Sequence, residues 1–425
     1  MHENVYWIWL SLACTPGTAT FPRLIEKYKD AKSIHDADIK DIIKCLDPRS
    51  SDRNRLSNKD LDQAREIFEF CKSKNIGMVS YGDIQYPKNL RDIQSPPVFL
   101  YYRGNLPDFN NGFYVSIVGT RAISDYGRKN AFKISYDLAC AGAKIVSGMA
   151  MGIDGISHAA ALEAGGETIA VLGSGIDVCY PSQHLSLARN IVKNGCIITE
   201  FPPHTPPIKN NFPIRNRIIS GLSAVTVVIE GKEKSGARIT AAYAKEQNRA
   251  VYALPGNIES ENSEITNLLL KNGAKIITTA DDLIRDYQDI YPSVINPFNL
   301  KERLPVNIMD SLSKHSVVAI SSSDSIFSTT VSKRFKSTSK NEDEITSDIQ
   351  DIQIENNNSE VEARFDKKIF NIYRDIPLSG SCSIESLLNQ ENNLREVMRC
   401  LLKLEMGHFI TILPGDRVAR KTNVR

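Results

Sequence analysis

Residues 206–221 read PPIKNNFPIRNRIISG and set three cations, Lys209, Arg215 and Arg217, around one flat apolar ring, Phe212. Asn210, Asn211 and Asn216 surround them. Cations alternating with an aromatic ring are what a single nucleic-acid strand requires, because its backbone is anionic and its unpaired bases expose faces for stacking. The same composition also fits a surface loop with solvated charges and a phenylalanine turned into the core. The neighbouring segments tilt the balance toward a site.

Those neighbours are three apolar runs, 114–118, 144–146 and 168–172, each closed by a glycine-bearing loop: Gly119-Thr120-Arg121, Ser147-Gly148-Met149 and Gly173-Ser174-Gly175. Helix-like segments at 127–141 and 154–164 separate them. Strand, glycine loop and helix in repetition predict an α/β fold with a parallel, doubly wound, Rossmann-like sheet. In such a sheet the loops at the carboxyl ends of the strands open on one edge, where backbone N–H groups and helix N-termini attract anions. Apolar runs at 196–199, 224–230, 250–254 and 274–277 predict further strands, and 237–247 and 264–271 further helices. One sheet of about seven strands results.

A chain of 425 residues exceeds what one core usually covers, and 41% hydrophobic with 24% charged residues is ordinary for globular domains. Two or three domains are expected. With a net charge of +2, any basic surface must be local. Eight cysteines without CxxC or Cys/His ligand spacing point to a reducing cytoplasm and no zinc site. The apolar run 5–14 is too short to span a bilayer and lacks a basic flank, so no membrane partner is expected.

Residues 1–80 predict a small helical domain broken at Pro16-Gly17, and residues 81–290 hold the sheet. Within 78–106, Tyr86-Pro87 and Pro96-Pro97 suit an extended connector along the sheet edge. The aperiodic Ser/Asn/Asp-rich stretch 291–361 reads as a disordered linker. In 362–425, helical spacing through Phe365, Ile369 and Ile372, through 384–388, and through Leu394, Val397, Met398, Leu401 and Leu402 precedes two short strands at 409–413 and 417–420. That order predicts a winged helix, whose third helix mixes Arg395, Arg399 and Lys403 with Glu396 and Glu405.

Asp154 and His158, four apart on a helix, could serve acid/base chemistry. A carboxylate opening a helix is more simply an N-cap, His158 then satisfies a buried contact, and Glu230 at a strand end is a similar case. No GxGxxG, GxxxxGK[ST] or GxSxG pattern occurs, so no dinucleotide, nucleotide triphosphate or serine-hydrolase site is expected, and no cofactor is implied.

In family order the chain carries Tyr86-Pro87, Ile117-Val118-Gly119-Thr120-Arg121, Ser147-Gly148, Gly152-Ile153-Asp154 with His158, Gly165-Gly166, Tyr180-Pro181, Glu200-Phe201-Pro202, Asn211-Phe212-Pro213, the run 215–221, Ser235-Gly236, Ile239-Thr240 and Leu254-Pro255-Gly256. From about residue 86 to 284 it resembles the DNA-processing protein A family (DprA, also called Smf). The resemblance implies an extended Rossmann domain that binds single-stranded DNA without catalysis, forms a homodimer and loads RecA recombinase onto incoming DNA in natural transformation. The helical amino-terminal domain, similar to SAM or helix-hairpin-helix modules, and the winged helix resemble flanking domains of the same family.

Carried onto this sequence, the strand-binding set comprises Gly119, Thr120, Arg121, Gly148, Gly173, Ser174, Gly175, Lys209, Asn211, Phe212, Arg215, Asn216, Arg217, Ser235 and Gly236. Arg121, Lys209 and Arg217 are expected to meet phosphates and Phe212 a base. Three positions depart from the family pattern. Met151 stands where the family usually has Arg, Pro16-Gly17-Thr18-Ala19 keeps only part of a hairpin motif, and Ile265 replaces a common Gly. A different class shares the glycine loops, the nucleotide-processing phosphoribohydrolases that resemble lysine decarboxylases. They carry a Pro-Gly-Gly-x-Gly-Thr loop, where this chain has Glu230-Gly231-Lys232-Glu233-Lys234-Ser235-Gly236. A third reading is a scaffold that holds a partner through the winged helix.

Overall fold

The structure is a computed structural model that describes residues 2–300 and, beyond 370, residues 371–373, 375–376, 382–387, 397–398, 400–401, 404–405, 410–413 and 417–420. They fall into two compact units, one before and one after the segment 301–370. Most of the expected linker 291–361 lies outside the described residues, as do Phe365, Ile369, Leu394, Arg395, Glu396, Arg399, Leu402 and Lys403 of the expected winged helix.

In the first unit, helices α1 (Glu3–Ala13), α2 (Thr20–Tyr28), α3 (Ala31–Asp36), α4 (Ile39–Lys44), α5 (Asp52–Ser57) and α6 (Asp62–Ser73) precede strand β1 (Gly77–Ser80). There follow α7 (Lys88–Arg91), β2 (Phe99–Gly104), β3 (Tyr114–Val118), α8 (Asp125–Cys140), β4 (Lys144–Ser147), α9 (Ile153–Glu163), β5 (Thr168–Val171), α10 (Leu185–Asn194) and β6 (Cys196–Thr199). The unit continues through α11 (Asn211–Leu222), β7 (Val225–Val228), α12 (Gly236–Glu246), β8 (Ala250–Ala253), α13 (Glu264–Lys271), β9 (Lys275–Ile276) and α14 (Ala280–Tyr287).

The nine strands form one sheet in the order β1-β2-β6-β5-β4-β3-β7-β8-β9. From β6 to β9 every pairing is parallel, which makes the seven parallel strands that the apolar runs predict. The expected connector over 78–106 instead contributes two strands, because β1 and β2 pair with each other antiparallel and β2 pairs antiparallel with β6. Its prolines lie in the loop between them, where the Tyr86 hydroxyl donates to Pro97 O at 2.7 Å.

Alternation along the strands shows why both faces are covered, since successive side chains point to opposite sides. In β3, Val115 and Ile117 join a core with α8, α9 and α14, while Tyr114 and Val118 join one with α11, α12 and α13. The amino-terminal helices have no separate interior. Trp7, Ile8 and Leu10 of α1 share one apolar cluster with Phe99 and Tyr101 of β2 and Leu187 and Ile191 of α10. The ordered chain runs past the last helix, for Ile295 is 5% exposed and Asn296 N donates to Ala141 O at 2.9 Å.

In the second unit, β10 (Cys382–Ser383), β11 (Ile410–Leu413) and β12 (Arg417–Arg420) make an antiparallel sheet in the order β10-β12-β11. Ile372, Ile384, Val397, Leu401 and Val418 form its buried cluster.

Candidate nucleic-acid interface

The sheet order reverses between β3 and β7, so the crevice outside the carboxyl ends of those strands is where a doubly wound fold usually holds an anion. Here the protein fills it. Glu230, just past β7, is 2% exposed and accepts from Ser124 N at 3.2 Å, with the Ser124 hydroxyl donating to its other oxygen. Ser124 in turn caps α8 by accepting from Gly127 N at 3.0 Å. A Cβ on Gly127 would collide with the Glu230 carboxylate, so that glycine exists for close approach. A phosphate at the α8 N-terminus is therefore displaced by the protein's own carboxylate.

The second glycine loop is closed in the same way. Asp154 Oδ2 accepts from Gly148 N at 3.1 Å and Ala150 N at 3.3 Å, while Gly152 is the N-cap of α9. Asp154 thus satisfies the loop rather than capping the helix, and Gly148 N is not free for a phosphate. In the third loop, Ser174 is 1% exposed and its hydroxyl donates to Val178 O at 3.0 Å. A Cβ on Gly175 would lie 2.7 Å from Pro202 O, and one on Gly173 would lie 2.9 Å from Phe212 Cδ1. The expected role of these glycines changes accordingly: they admit other protein segments rather than ligand backbone.

What remains open is built on α11. Its first turn holds no acidic residue, in contrast to α8 and α9. Pro213 near its start costs little, because the amides of the first turn have no intrahelical partner anyway. Helical spacing sets Phe212, Arg215 and Asn216 on one side of α11, and Ile214 and Arg217 toward another. Phe212 is half-buried, with the Arg121 guanidinium carbon 5.6 Å and the Arg215 carbon 5.8 Å from its ring centre. Arg121 and Lys209 are exposed and have no carboxylate partner among the described residues. Asn211 is 7% exposed and its side-chain amide nitrogen is buried without a partner. Asn216 donates to Gly236 O at 3.4 Å, which ties α11 to the Ser235-Gly236 turn opening α12.

Arg215 lies beneath this surface at 3% exposure. Its Nη1 donates to Gly148 O at 2.9 Å and to Val171 O, so it binds the ends of β4 and β5 together. Burial pushes its pKa down to about 10, Asp154 opposes that shift, and Arg121 adds to it. Burial likewise raises the Asp154 carboxyl, against the pull of Arg215. Arg215 supplies a fixed positive charge under Phe212 rather than an exposed contact.

Arg217 departs furthest from expectation. Nη1 donates to Glu200 Oε1 at 2.6 Å and Nη2 to Glu200 Oε2 at 2.7 Å, with side chains 4% and 5% exposed. Nε donates to Ser95 O at 2.9 Å. All of its donors face protein, so Arg217 is withdrawn from the phosphate-contacting set. Gly17 of the hairpin-like turn before α2 packs near it, and a Cβ there would meet Ile214 at 3.2 Å.

His158 is structural. Thr168 Oγ1 donates to Ile145 O at 2.8 Å, so the His158 Nδ1 contact to that oxygen at 2.7 Å requires a proton on Nδ1. Burial pushes the pKa down from 6.5 to about 3. The unfolded chain then takes up a proton below about pH 6.5 that the folded chain refuses, so stability is full above that pH and falls toward pH 3. The slope from this group is up to about 1.4 kcal/mol per pH unit. Asp154, with its raised pKa, contributes in the opposite sense and is common to both proteins compared. Urea midpoints of wild type should drop more from pH 7 to pH 5 than those of His158→Gln; parallel profiles would refute the assignment.

The family pattern described as DNA recombination-mediator protein A matches residues 77–288. The DNA processing protein DprA of Bacillus subtilis is 39% identical over 227 residues, 53% of this chain and 76% of that protein. The DprA of Streptococcus pneumoniae is 38% identical over 251 residues, 59% of this chain and 86% of its own length. The chain belongs to the DprA/Smf family. The X-ray structure of the pneumococcal DprA covers 67% of this chain and 99% of its own, at 32% identity and a TM-score of 0.59. Residues that sequence reasoning left out of the family site are Glu230, which occupies the α8 N-terminus, Asp154, which closes the second glycine loop, and Tyr180, whose ring lies 5.5 Å from that of Phe212. A strand-end acid was visible for Glu230, but no spacing announces the Tyr180 contact.

Proposed function

We propose that the chain binds single-stranded DNA, without catalysis, along the surface formed by Arg121, Lys209, Asn211 and Phe212. The observation that carries this reading is a half-buried ring flanked by an exposed and a buried guanidinium, beside a helix N-terminus with no acid in its first turn. Phosphates meet Arg121 and Lys209, the ring stacks on a base, and Arg215 supports both from below. Gly119, Thr120, Asn216, Ser235 and Gly236 shape the rim. Met151 is exposed where the family usually has an arginine, so one phosphate contact fewer is made here. The loop after β7 lacks the Pro-Gly-Gly-x-Gly-Thr sequence of the phosphoribohydrolases, and Glu230 is engaged by Ser124, which argues against the enzyme alternative.

Labelled oligo-dT titrated at several salt concentrations tests the reading. Affinity should fall with salt, with a log–log slope of about 0.7 for each phosphate neutralised. Absence of binding at low salt, or release of base from nucleoside monophosphates, would overturn it.

The finer reading is that a homodimer of this chain delivers the strand to a RecA recombinase in the cytoplasm during natural transformation, in keeping with the recombination-mediator description of the family. Among the described residues no helix is long and apolar enough to cross a membrane. β9 ends the sheet, and its Ile276 is 59% and Leu268 of α13 36% exposed, whereas Leu269 and Ile277 are core. Self-association through Leu268 and Ile276 predicts a dimer in sedimentation at micromolar concentration that Ile276→Glu reduces to monomer. A monomeric wild type would exclude it. The antiparallel strands of the second unit support reading it as a winged helix, and the mixed charge of the sequence 394–405 favours a protein partner over duplex DNA.

A further inference from the structure

We propose that Tyr180 is a second base-stacking position, contiguous with Phe212, so that the surface holds two successive bases of the strand. The inference rests on the strand-binding reading and adds a residue and a geometry to it. Tyr180 is 43% exposed, and its hydroxyl makes no hydrogen bond among the described residues. An exposed tyrosine usually sits on a mobile loop, but here the backbone on both sides is pinned. Val178 N donates to Gly175 O at 3.0 Å, Val178 O accepts from Ser174 Oγ at 3.0 Å, and Gly175 N donates to Thr205 O at 2.9 Å. On the far side His184 N donates to Pro181 O at 3.0 Å, and His184 Nδ1 lies 2.9 Å from Met149 O. The ring is thus presented from a fixed frame, which limits the entropy lost on binding.

The spacing decides how it is used. Slipping a base between two rings needs about 7 Å between their centres, twice the roughly 3.4 Å separation of stacked bases. The Tyr180 and Phe212 centroids are 5.5 Å apart and tilted by 46°, so no base fits between them. The rings pack on each other at an angle and form a tilted ledge on which Tyr180 is the more exposed ring. Successive bases on such a ledge are splayed rather than stacked, which a single strand tolerates and a duplex does not. The exposed Arg121 guanidinium, 5.6 Å over the Phe212 ring, complements the charge of the linking phosphate.

The test compares full-length wild type, Tyr180→Phe, Tyr180→Leu, Tyr180→Ala and Phe212→Ala, titrated with oligo-dT and with an abasic oligomer of equal length. Tyr180→Phe should bind oligo-dT as wild type does, while Tyr180→Leu and Tyr180→Ala lose about ten-fold in affinity with an unchanged salt slope. On the abasic oligomer all three Tyr180 variants should match wild type. If Tyr180→Leu keeps full affinity, the ring merely props Phe212 and the inference fails. It fails too if the loss is equal on the abasic oligomer, or if Phe212→Ala weakens oligo-dT binding while no Tyr180 variant does. In that last case the strand-binding reading survives. Wild type that binds neither oligomer overturns both.

Discussion

Replacing Glu200 with alanine should destabilise the protein by about 3–5 kcal/mol, the usual cost of leaving one member of a buried ion pair without the other. The pair is bidentate and its side chains are 4% and 5% exposed, so water cannot stand in for the lost carboxylate. Glu200→Gln should lose less, because an amide oxygen still accepts one of the two guanidinium bonds. The double variant Glu200→Leu, Arg217→Met should recover much of the loss, since both charges leave together. Urea unfolding of the three variants measures this. A small effect for Glu200→Ala would mean that Arg217 finds another carboxylate. The same series probes function: the double variant Glu200→Leu, Arg217→Met should leave the salt slope of oligo-dT binding unchanged, and a reduced slope in the folded variant would return Arg217 to the phosphate set.

Arg121→Ala and Phe212→Ala should both weaken strand binding, and in different ways. Arg121 is exposed, lacks a carboxylate partner among the described residues and can fork two donors onto one phosphate. Its removal should flatten the log–log salt dependence by about 0.7. Phe212→Ala should cost about 1–3 kcal/mol of binding and leave the slope unchanged, because a lost base stack releases no counterion. Lys209→Ala should lose less than Arg121→Ala, since a lysine acts as a point charge. Phe212 touches Gly173 and Tyr180 as well, so thermal unfolding must show that its variant stays folded. Unchanged affinity in folded Arg121→Ala and Phe212→Ala would remove this surface as a strand site.

The protein's closure of its own anion sites bears on chemistry. Three carboxylates, Glu200, Glu230 and Asp154, lie near the carboxyl edge of the sheet, and each is bound to an arginine, a serine or backbone amides. Among the described residues no carboxylate pairs Arg121 or Lys209, and the proposed strand surface uses that exposed charge.

Much of this was legible in the sequence because it follows from local periodicity. Seven apolar runs of strand length, each followed by a turn and an amphipathic stretch, have few arrangements other than a parallel sheet. The clustering of glycines after the first three marked the carboxyl edge of the sheet, where the proposed strand surface lies. Strands β1 and β2 were not legible, since their short runs flanked by Pro87, Pro96 and Pro97 look like connector until β6 offers hydrogen bonds to β2, and β2 in turn to β1. The cations of 209–217 could be counted but not sorted. Arg217 is two residues from Arg215, about 200° around the helix, so one backs the ring and the other turns inward. Its partner Glu200 comes from the loop after β6, a pairing that only the folded chain creates. For the same reason a glycine loop in sequence is only a permission for close approach. Whether the approaching group is a phosphate, the Glu230 carboxylate or the Phe212 ring is decided by which segments the sheet brings to that edge.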